Sequence, residues 1–326
     1  MQSTLRIETH NLHLAAELIA QGKTVAFPTE TVYGLGADAL NEQAVERIFL
    51  AKGRPSDNPL IVHIASLDQL DQVASTVSPL ANILIQRFWP GPLTIVVPRK
   101  PNVPNLVTAG LDTVAVRMPE EPLARELIRL AGRPIVAPSA NRSGRPSATT
   151  WESVLADLDG RIDAIVCGNP TRIGLESTVV DTTGSEPTIL RHGAITQEMI
   201  VQVCGSVSSG NSELQLRSPG TRHRHYQPQA KVQIVDDLGR LEPTLQRCGM
   251  IGICDPSEME SREIQLRKDF PQATIRYCAS LDDYASNLFE FFRHCDTLGV
   301  VRIYCQQVAP HGLGRAIMDR LERAAQ

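Results

Sequence analysis

Lysine is scarce in this 326-residue chain: five lysines, Lys23, Lys52, Lys100, Lys231 and Lys268, stand against 27 arginines. A basic excess is also missing. The formal net charge is −4, which speaks against a protein that coats polyanions through bulk charge. No stretch of about 18 apolar residues occurs, so no membrane-spanning helix is expected. The opening residues, MQSTLRIETHNLHL, lack the apolar run of a secretory signal. The seven cysteines form no C-x-x-C pair and no metal-ligand spacing. Cys254, Cys278, Cys295 and Cys305 lie in or beside apolar runs, which reads as buried thiols in a reducing compartment. The expected location is therefore the cytoplasm, in a soluble protein.

The familiar nucleotide signatures are lacking too. Gly22-Lys23-Thr24 resembles the tail of a P-loop, but Glu17 stands where the first glycine should be. Gly312-Leu313-Gly314 has no third glycine after it and reads as a helix-entry turn. If ATP binds, another device holds it.

What is present supports a sizeable core. Hydrophobic residues make up 42% and charged residues 21%, ordinary for a globular chain, and the length suggests about two domains. Strands are predicted at 24–27, 60–64, 93–97, 114–116, 135–137 and 162–166, with two more near Val179 and Ile189. Helices are predicted at about 11–21, 79–88, 122–130, 151–158 and 197–203. Another starts at an Asn41 N-cap and has Ala44, Val45, Ile48 and Phe49 as its apolar face. This is an α/β pattern with a twisted, mixed sheet. The small polar run 205–212 reads as a flexible linker. The segment SPGTRHRHYQP, 218–228, is too rich in chemistry for a tether. From Lys231 a second, smaller α/β alternation begins. Its strands are at 232–235, 249–253, near Ile275 and at 299–304; its helices are at 281–292 and from about Leu313.

Four polar clusters remain. Pro28 to Gly36 (PTETVYGLG) follows a strand and combines two hydroxyls, a carboxylate and two close glycines, which suits a ligand-facing turn or an ordinary one. Lys52 to Pro59 (KGRPSDNP) offers two cations around a glycine. These could hold phosphate oxygens, Arg54 bidentately, or simply favour a helix C-terminus. His63 is the one polar residue of its strand, and alone it reads more readily as a structural histidine. Val136 to Gly144 (VAPSANRSG) and Leu175 to Asp181 (LESTVVD), the latter followed by Arg191-His192-Gly193, each fit a site or a capped lead-in to structure. Together they are polar turns gathered mostly at strand ends of one α/β domain, where ligands collect.

Six ordered motifs, PTETVYGLG, KGRPSDNPL, the His63 strand, VAVRMP, APSAN and STVVD, resemble the YrdC-like threonylcarbamoyl-AMP synthases. SPGTRHRHYQP and the terminal GLGRAIMDRLERAA resemble the linker and carboxyl-terminal domain of their longer, two-domain members. The resemblance implies a YrdC-like open mixed sheet at 1–204, a linker or lid at 205–230, and a smaller Rossmann-like α/β domain at 231–326. It implies that L-threonine, bicarbonate or CO2, and ATP give threonylcarbamoyl-adenylate and pyrophosphate. The product would serve a separate transferase complex that modifies tRNA. By motif match, Thr31, His63, Arg117, Ala137 (through its backbone) and Ser177 would contact threonine. Arg54, Asn58, Thr113, Ser139, Asn141, Ser147, Arg191 and Tyr226 would bind ATP, with His225 beside Tyr226 less firmly placed. Lys52 and Arg54 would meet the charge that develops on the phosphates. No dedicated metal cage is visible, so Mg2+ is expected to arrive with ATP. Two rival readings differ in kind. One is a double-stranded RNA-binding module with no chemistry. The other is a hydrogenase-maturing carbamoyl transferase, whose acylphosphatase-like and zinc-finger regions are lacking here.

Overall fold

The computed structural model describes residues 3–210 and 225–326. Residues 211–224, which include most of the SPGTRHRHYQP segment and the end of the predicted polar linker, lie outside the described residues. Contacts divide the chain into two units. The first takes residues up to 143, 147–172 and 176–223; the second takes 144–146, 173–175 and 224–326.

The first unit is built on eleven strands. They are β1 (Leu5–Glu8), β2 (Val25–Phe27), β3 (Gly34–Asp38), β4 (Ile61–His63), β5 (Leu93–Pro98), β6 (Thr113–Arg117), β7 (Ile135–Val136), β8 (Ala164–Cys167), β9 (Thr178–Asp181), β10 (Thr188–Arg191) and β11 (Ser208–Ser209). Their order across the sheet is β1-β8-β2-β3-β7-β4-β6-β5-β9-β10-β11. The sheet is mixed: β4 runs parallel to β6, and β5 runs antiparallel to β6 but parallel to β9.

Among the described residues eight helices pack on it: α1 (Leu12–Ala20), α2 (Glu42–Lys52), α3 (Leu67–Val73), α4 (Pro79–Phe88), α5 (Asn105–Thr108), α6 (Pro122–Ala131), α7 (Trp151–Leu158) and α8 (Gln197–Cys204). Their starts follow the capping chemistry. Asn41 Oδ1 accepts the Ala44 N–H at 3.2 Å, and Ser78 Oγ accepts that of Ala81 at 3.1 Å, with Pro79 opening the helix. Ala44, Val45, Ile48 and Phe49 are buried as their spacing predicts.

Because strand side chains alternate between faces, the two sides of the sheet acquire different covers. On one side Val62, Val116, Val136, Ile95 and Val180 join the main core with residues of α2, α4 and α7. On the other, Ile7, Val25, Phe27, Ile135 and Val166 pack under α1 and α6. Beyond them, Ile61, Val96, Ala115, Val179 and Leu190 form a small cluster of strand residues alone.

β1, α3 and α5 have no counterpart among the predicted elements, and the structure departs from the sequence expectations in four other places. Gly34 to Gly36, read as a turn, lies in β3. Its glycines are needed because a Cβ on Gly36 would stand 2.7 Å from the Phe27 ring and 3.1 Å from the Val25 carbonyl oxygen. With so few side chains, β3 shows no alternation to read. Residues 205–210, read as linker, include β11, which pairs parallel with β10. The strand expected at 299–304 starts later, because Gly299, at φ +64, ends the preceding helix in the left-handed region. A further helix went unpredicted in the second unit.

That unit holds four parallel strands, β12 (Lys231–Val235), β13 (Cys248–Ile253), β14 (Thr274–Cys278) and β15 (Arg302–Gln306), in the order β12-β15-β13-β14. Its helices are α9 (Met259–Asp269), α10 (Leu281–Thr297) and α11 (Leu313–Ala324). Leu288, Phe289 and Phe292 of α10 and Ile317 and Leu321 of α11 make its core with Ile251, Ile303 and Cys305. The unpredicted helix is α9. It buries only Leu266 and gains support from the ion pairs Glu258–Arg262 (2.9 Å) and Glu263–Arg267 (2.6 Å), so it shows no apolar stripe. All seven cysteines are free thiols, and burial pushes Cys278 and Cys295 up to about 12. Among the described residues no helix is long and apolar enough to cross a membrane.

Gly36→Ala forces a methyl group against the Phe27 ring. It is expected to destabilise the first unit by about 1–3 kcal/mol, read as a lowered midpoint of thermal unfolding by circular dichroism.

Candidate functional site

Strand register lines up one row of side chains on the less covered face. His63 on β4 pairs with Arg117 on β6, Arg117 with Thr94 on β5, Thr94 with Val179 on β9, and Val179 with Arg191 on β10. Directly paired residues share a face, and a register shift between Ile189 and Arg191 brings Arg191 opposite Val179, so five strands present this row side by side. Ile61, Ala115 and Val96 form an apolar row next to it.

The loop between β2 and β3 closes over the row. Arg117 donates from Nη1 to Thr31 Oγ1 at 2.8 Å and from Nε to the Gly91 carbonyl at 3.3 Å. Its Nη2 stands 2.6 Å from Glu30 Oε1, and both side chains are almost fully buried, at 4% and 3% exposure. Burial alone would raise the Glu30 pKa, but the charge and hydrogen bond of Arg117, with smaller help from the Glu120 and Glu30 backbone amides, together outweigh it and hold the carboxyl below its usual range. Glu30 is therefore ionised. Burial, seconded by the Arg117 charge, pushes His63 down to about 3. Its Nδ1 lies 3.3 Å from the Ile61 carbonyl, which can only accept. The Nδ1 must then carry the proton of a neutral ring, leaving Nε2 as an acceptor.

Ser177 is fastened beside this group. Its Oγ lies 2.8 Å from Thr94 Oγ1, and Arg191 holds its carbonyl at 2.9 and 3.0 Å and its Oγ at 3.1 Å. Fully buried Ser147 bonds Glu176 Oε1 at 2.5 Å, one residue before Ser177.

A second group sits toward the start of β4. Lys52 ends α2, is buried, and donates from Nζ to the Ser139 and Asn141 carbonyls, both at 2.5 Å. Ser143 N–H returns to the Lys52 carbonyl at 2.9 Å. Arg54 folds along its own loop and bonds the Pro59 carbonyl at 2.9 Å and the Asn58 carbonyl at 3.4 Å. Ala137 N–H bonds the Ile61 carbonyl at 3.0 Å, and Ser139 bridges to Gly34.

The structure thus gathers Thr31, His63, Arg117, Ser177, Arg191 and Ser147 at one end, and Lys52, Ser139 and Asn141 at the other. Arg54 and Asn58 share the loop that leads into β4. Thr113 lies at the far end of β6, opposite Pro98, roughly 13 Å from Arg117 by strand rise. Tyr226 belongs to the second unit, where its buried ring stacks on Phe289 at 5.2 Å with the Arg320 guanidinium 5.5 Å away. Sequence reasoning passed over Glu30, Thr94 and Glu176 as site residues. Glu30 stood in a motif already singled out, but its partner became visible only when β6 was placed beside the loop.

The arrangement offers no hydroxyl or thiol activated by a base. It offers fixed charges, one neutral imidazole acceptor and a cation-bearing loop, a set suited to positioning two polar ligands rather than to covalent catalysis.

Comparison with known proteins agrees with this chemistry. The Sua5/YciO/YrdC family, described as telomere recombination, matches residues 17–193, and the threonylcarbamoyl-AMP synthase carboxyl-terminal domain matches residues 195–326. The chain is 44% identical to the threonylcarbamoyl-AMP synthase of Pyrococcus abyssi, covering 98% of this chain and 95% of that one. It is 45% identical to that of Bacillus subtilis, covering 95% and 92%. A crystal structure of P. abyssi Sua5 complexed with L-threonine superposes with a TM-score of 0.84 at 40% identity, over 99% of this chain and 97% of that one.

The state of His63 can be tested directly. Its folded pKa is depressed from 6.5 to about 3, so as pH falls through that window the unfolded chain takes up a proton that the folded one refuses. Stability from a neutral His63 is complete above 6.5 and lost toward 3. The stability advantage of the wild type over His63→Gln should therefore shrink as pH falls. The His63 ring resonances should not titrate in NMR spectra across the neutral range.

Proposed function

The chain belongs to the two-domain threonylcarbamoyl-AMP synthases, and we propose that it joins L-threonine, bicarbonate or CO2, and ATP into threonylcarbamoyl-adenylate with release of pyrophosphate. The observation that carries this reading is the buried row His63–Arg117–Thr94–Val179–Arg191, flanked by Thr31 and Ser177. It combines an amino-acid-sized set of charges with a cation-bearing loop one strand length away.

Arg117 recognises the threonine carboxylate, since a guanidinium fork matches it in shape and charge. His63, neutral and with Nε2 as an acceptor, accepts a hydrogen bond from the hydroxyl of the threonine side chain. Thr31, the Ala137 backbone and Ser177 complete the amino-acid end. Arg54, Asn58, Ser139, Asn141, Ser147, Arg191 and Thr113 hold ATP. Lys52 fixes the loop that presents Ser139 and Asn141.

The threonine ammonium loses one proton to water, and the resulting amine nitrogen bonds to the carbon of CO2 and loses a second proton to water, which yields a carbamate that keeps one N–H. A carbamate oxygen then attacks the α-phosphorus, and the bond to the bridging oxygen breaks. The electron pair leaves with pyrophosphate. No enzyme-bound intermediate is required, so the barrier falls through orientation and through cations meeting the departing charge. Mg2+ enters as part of the nucleotide substrate. In that role phosphate oxygens and water would hold it. The adenylate then feeds a separate complex that transfers the threonylcarbamoyl group to tRNA.

Arg54→Ala is expected to lower threonine- and bicarbonate-dependent pyrophosphate release about a hundredfold, with circular dichroism and thermal unfolding unchanged. Wild-type turnover in that variant would count against the nucleotide assignment. Chelation by EDTA should abolish turnover and added Mg2+ restore it; turnover that survives chelation would refute a metal delivered with the nucleotide.

A further inference from the structure

Glu30, unlike Glu176 with its short bond to Ser147, is a charged member of the site whose carboxylate is left poorly satisfied, and the reaction above assigns it nothing. It is 2% exposed. Its Oε1 makes the ion pair with Arg117 and the Glu120 and Glu30 amides lie close enough to act on its charge, yet neither carboxylate oxygen forms a well-shaped hydrogen bond. A buried acceptor left in this state calls for a partner that arrives later. Arg117 carries five N–H donors. One goes to Thr31, one to the Gly91 carbonyl and one faces Glu30, so two remain.

The neighbouring hydroxyls have settled polarity. Thr29 Oγ1 donates to the Val32 carbonyl at 2.7 Å and accepts from the Thr31 and Val32 amides at 3.2 and 3.3 Å. Its single proton is therefore spent, and the 2.8 Å contact between Thr29 and Thr31 hydroxyls must be a donation from Thr31. Thr31 Oγ1, which also accepts from Arg117, can meet a ligand only as an acceptor. Glu30 and Thr31 thus present acceptors and no donor, next to a cation with donors to spare.

We propose that Glu30 is a specificity-determining residue. With the Thr31 hydroxyl it receives the ammonium group of the amino acid while Arg117 receives the carboxylate, so that the pocket selects a zwitterion over a simple carboxylate. The inference rests on threonine being the substrate. Without Glu30 the buried site would carry one uncompensated positive charge and would favour anions of any kind.

The probes are L-threonine and its 2-hydroxy analogue, in which a hydroxyl replaces the amine. Their binding to the full-length protein is measured by calorimetry. The wild type should bind threonine at least about tenfold more tightly than the analogue. Glu30→Gln keeps the shape and one acceptor for Arg117 but removes the charge. It should weaken threonine at least about tenfold while changing the analogue by less than about threefold, or tightening it. Parallel loss of both ligands would mean that Glu30 only shapes Arg117, and unchanged threonine binding would mean that it does nothing for recognition; either overturns the proposal. If the variant does not fold, the wild-type comparison decides alone. An analogue bound within about threefold of threonine overturns the inference. Failure of the wild type to bind threonine would instead overturn the activity on which the inference stands.

Discussion

The two-residue period of the β-strand governs this site. A sheet buried on both faces carries apolar residues at nearly every position, and β2 and β8 approach that condition beneath α1 and α6. Past β7 the second face has no helix residues in its cluster. The strands there can give alternate positions to polar side chains without disturbing Val62, Val116, Ile95 and Val180 in the core behind. Register then does the rest. Once β4, β6, β5, β9 and β10 pair as they do, His63, Arg117, Thr94, Val179 and Arg191 fall into line, although they come from widely separated parts of the chain. Slipping any one strand by a residue would turn its polar side chain into the core.

Such a row is expensive to bury. A guanidinium taken from water costs several kcal/mol unless its partners are well placed, and Arg117 meets this with Glu30, Thr31 and the Gly91 carbonyl. The arrangement also explains the neutral histidine. Burial penalises a charged ring and the Arg117 cation adds repulsion, so His63 gives up its charge and becomes an acceptor. The site therefore sets the Arg117 cation, the Glu30 anion and the neutral His63 acceptor side by side, each defined by the others. In a buried setting these charges keep their strength, which suits a reaction that depends on holding two substrates together.

Much of this could be read from the residues alone. The strands that carry the row have β-branched alternation, and the helices that flank it have caps and apolar faces. Turn chemistry marked the polar clusters, and the six ordered motifs supplied the expected ligands in the form of a family resemblance. The parts that escaped did so for physical reasons. β3 is made mostly of glycine and small residues because Phe27 and Ile135 occupy the space above it, and a strand without side chains has no period. α9 is held by charge pairs along its surface and buries one leucine, so it has no stripe. Glu30 was in view as a residue, but its importance lies in a pairing with Arg117 that no local pattern encodes.

The scarcity of lysine acquires a meaning at Lys52, the only buried lysine of the five. Its ammonium reaches two carbonyls, of Ser139 and Asn141, that point toward it from one turn. A compact charge on a flexible stem can sit between converging carbonyls, whereas a planar guanidinium would need acceptors spread along its edge. Arginine serves elsewhere in the site, where the partners are a carboxylate, a hydroxyl and a backbone carbonyl set around the rim of a fork, as at Arg117 and Arg191. Lys52 also closes α2, whose C-terminal dipole favours a cation, and the next residue, Gly53, turns the chain at φ +61 into the Arg54 loop. One side chain thereby joins the end of a helix to the turn beyond β7. The geometry of the cation-bearing loop and that of the Ser139–Asn141 turn are consequently fixed together, before any ligand arrives.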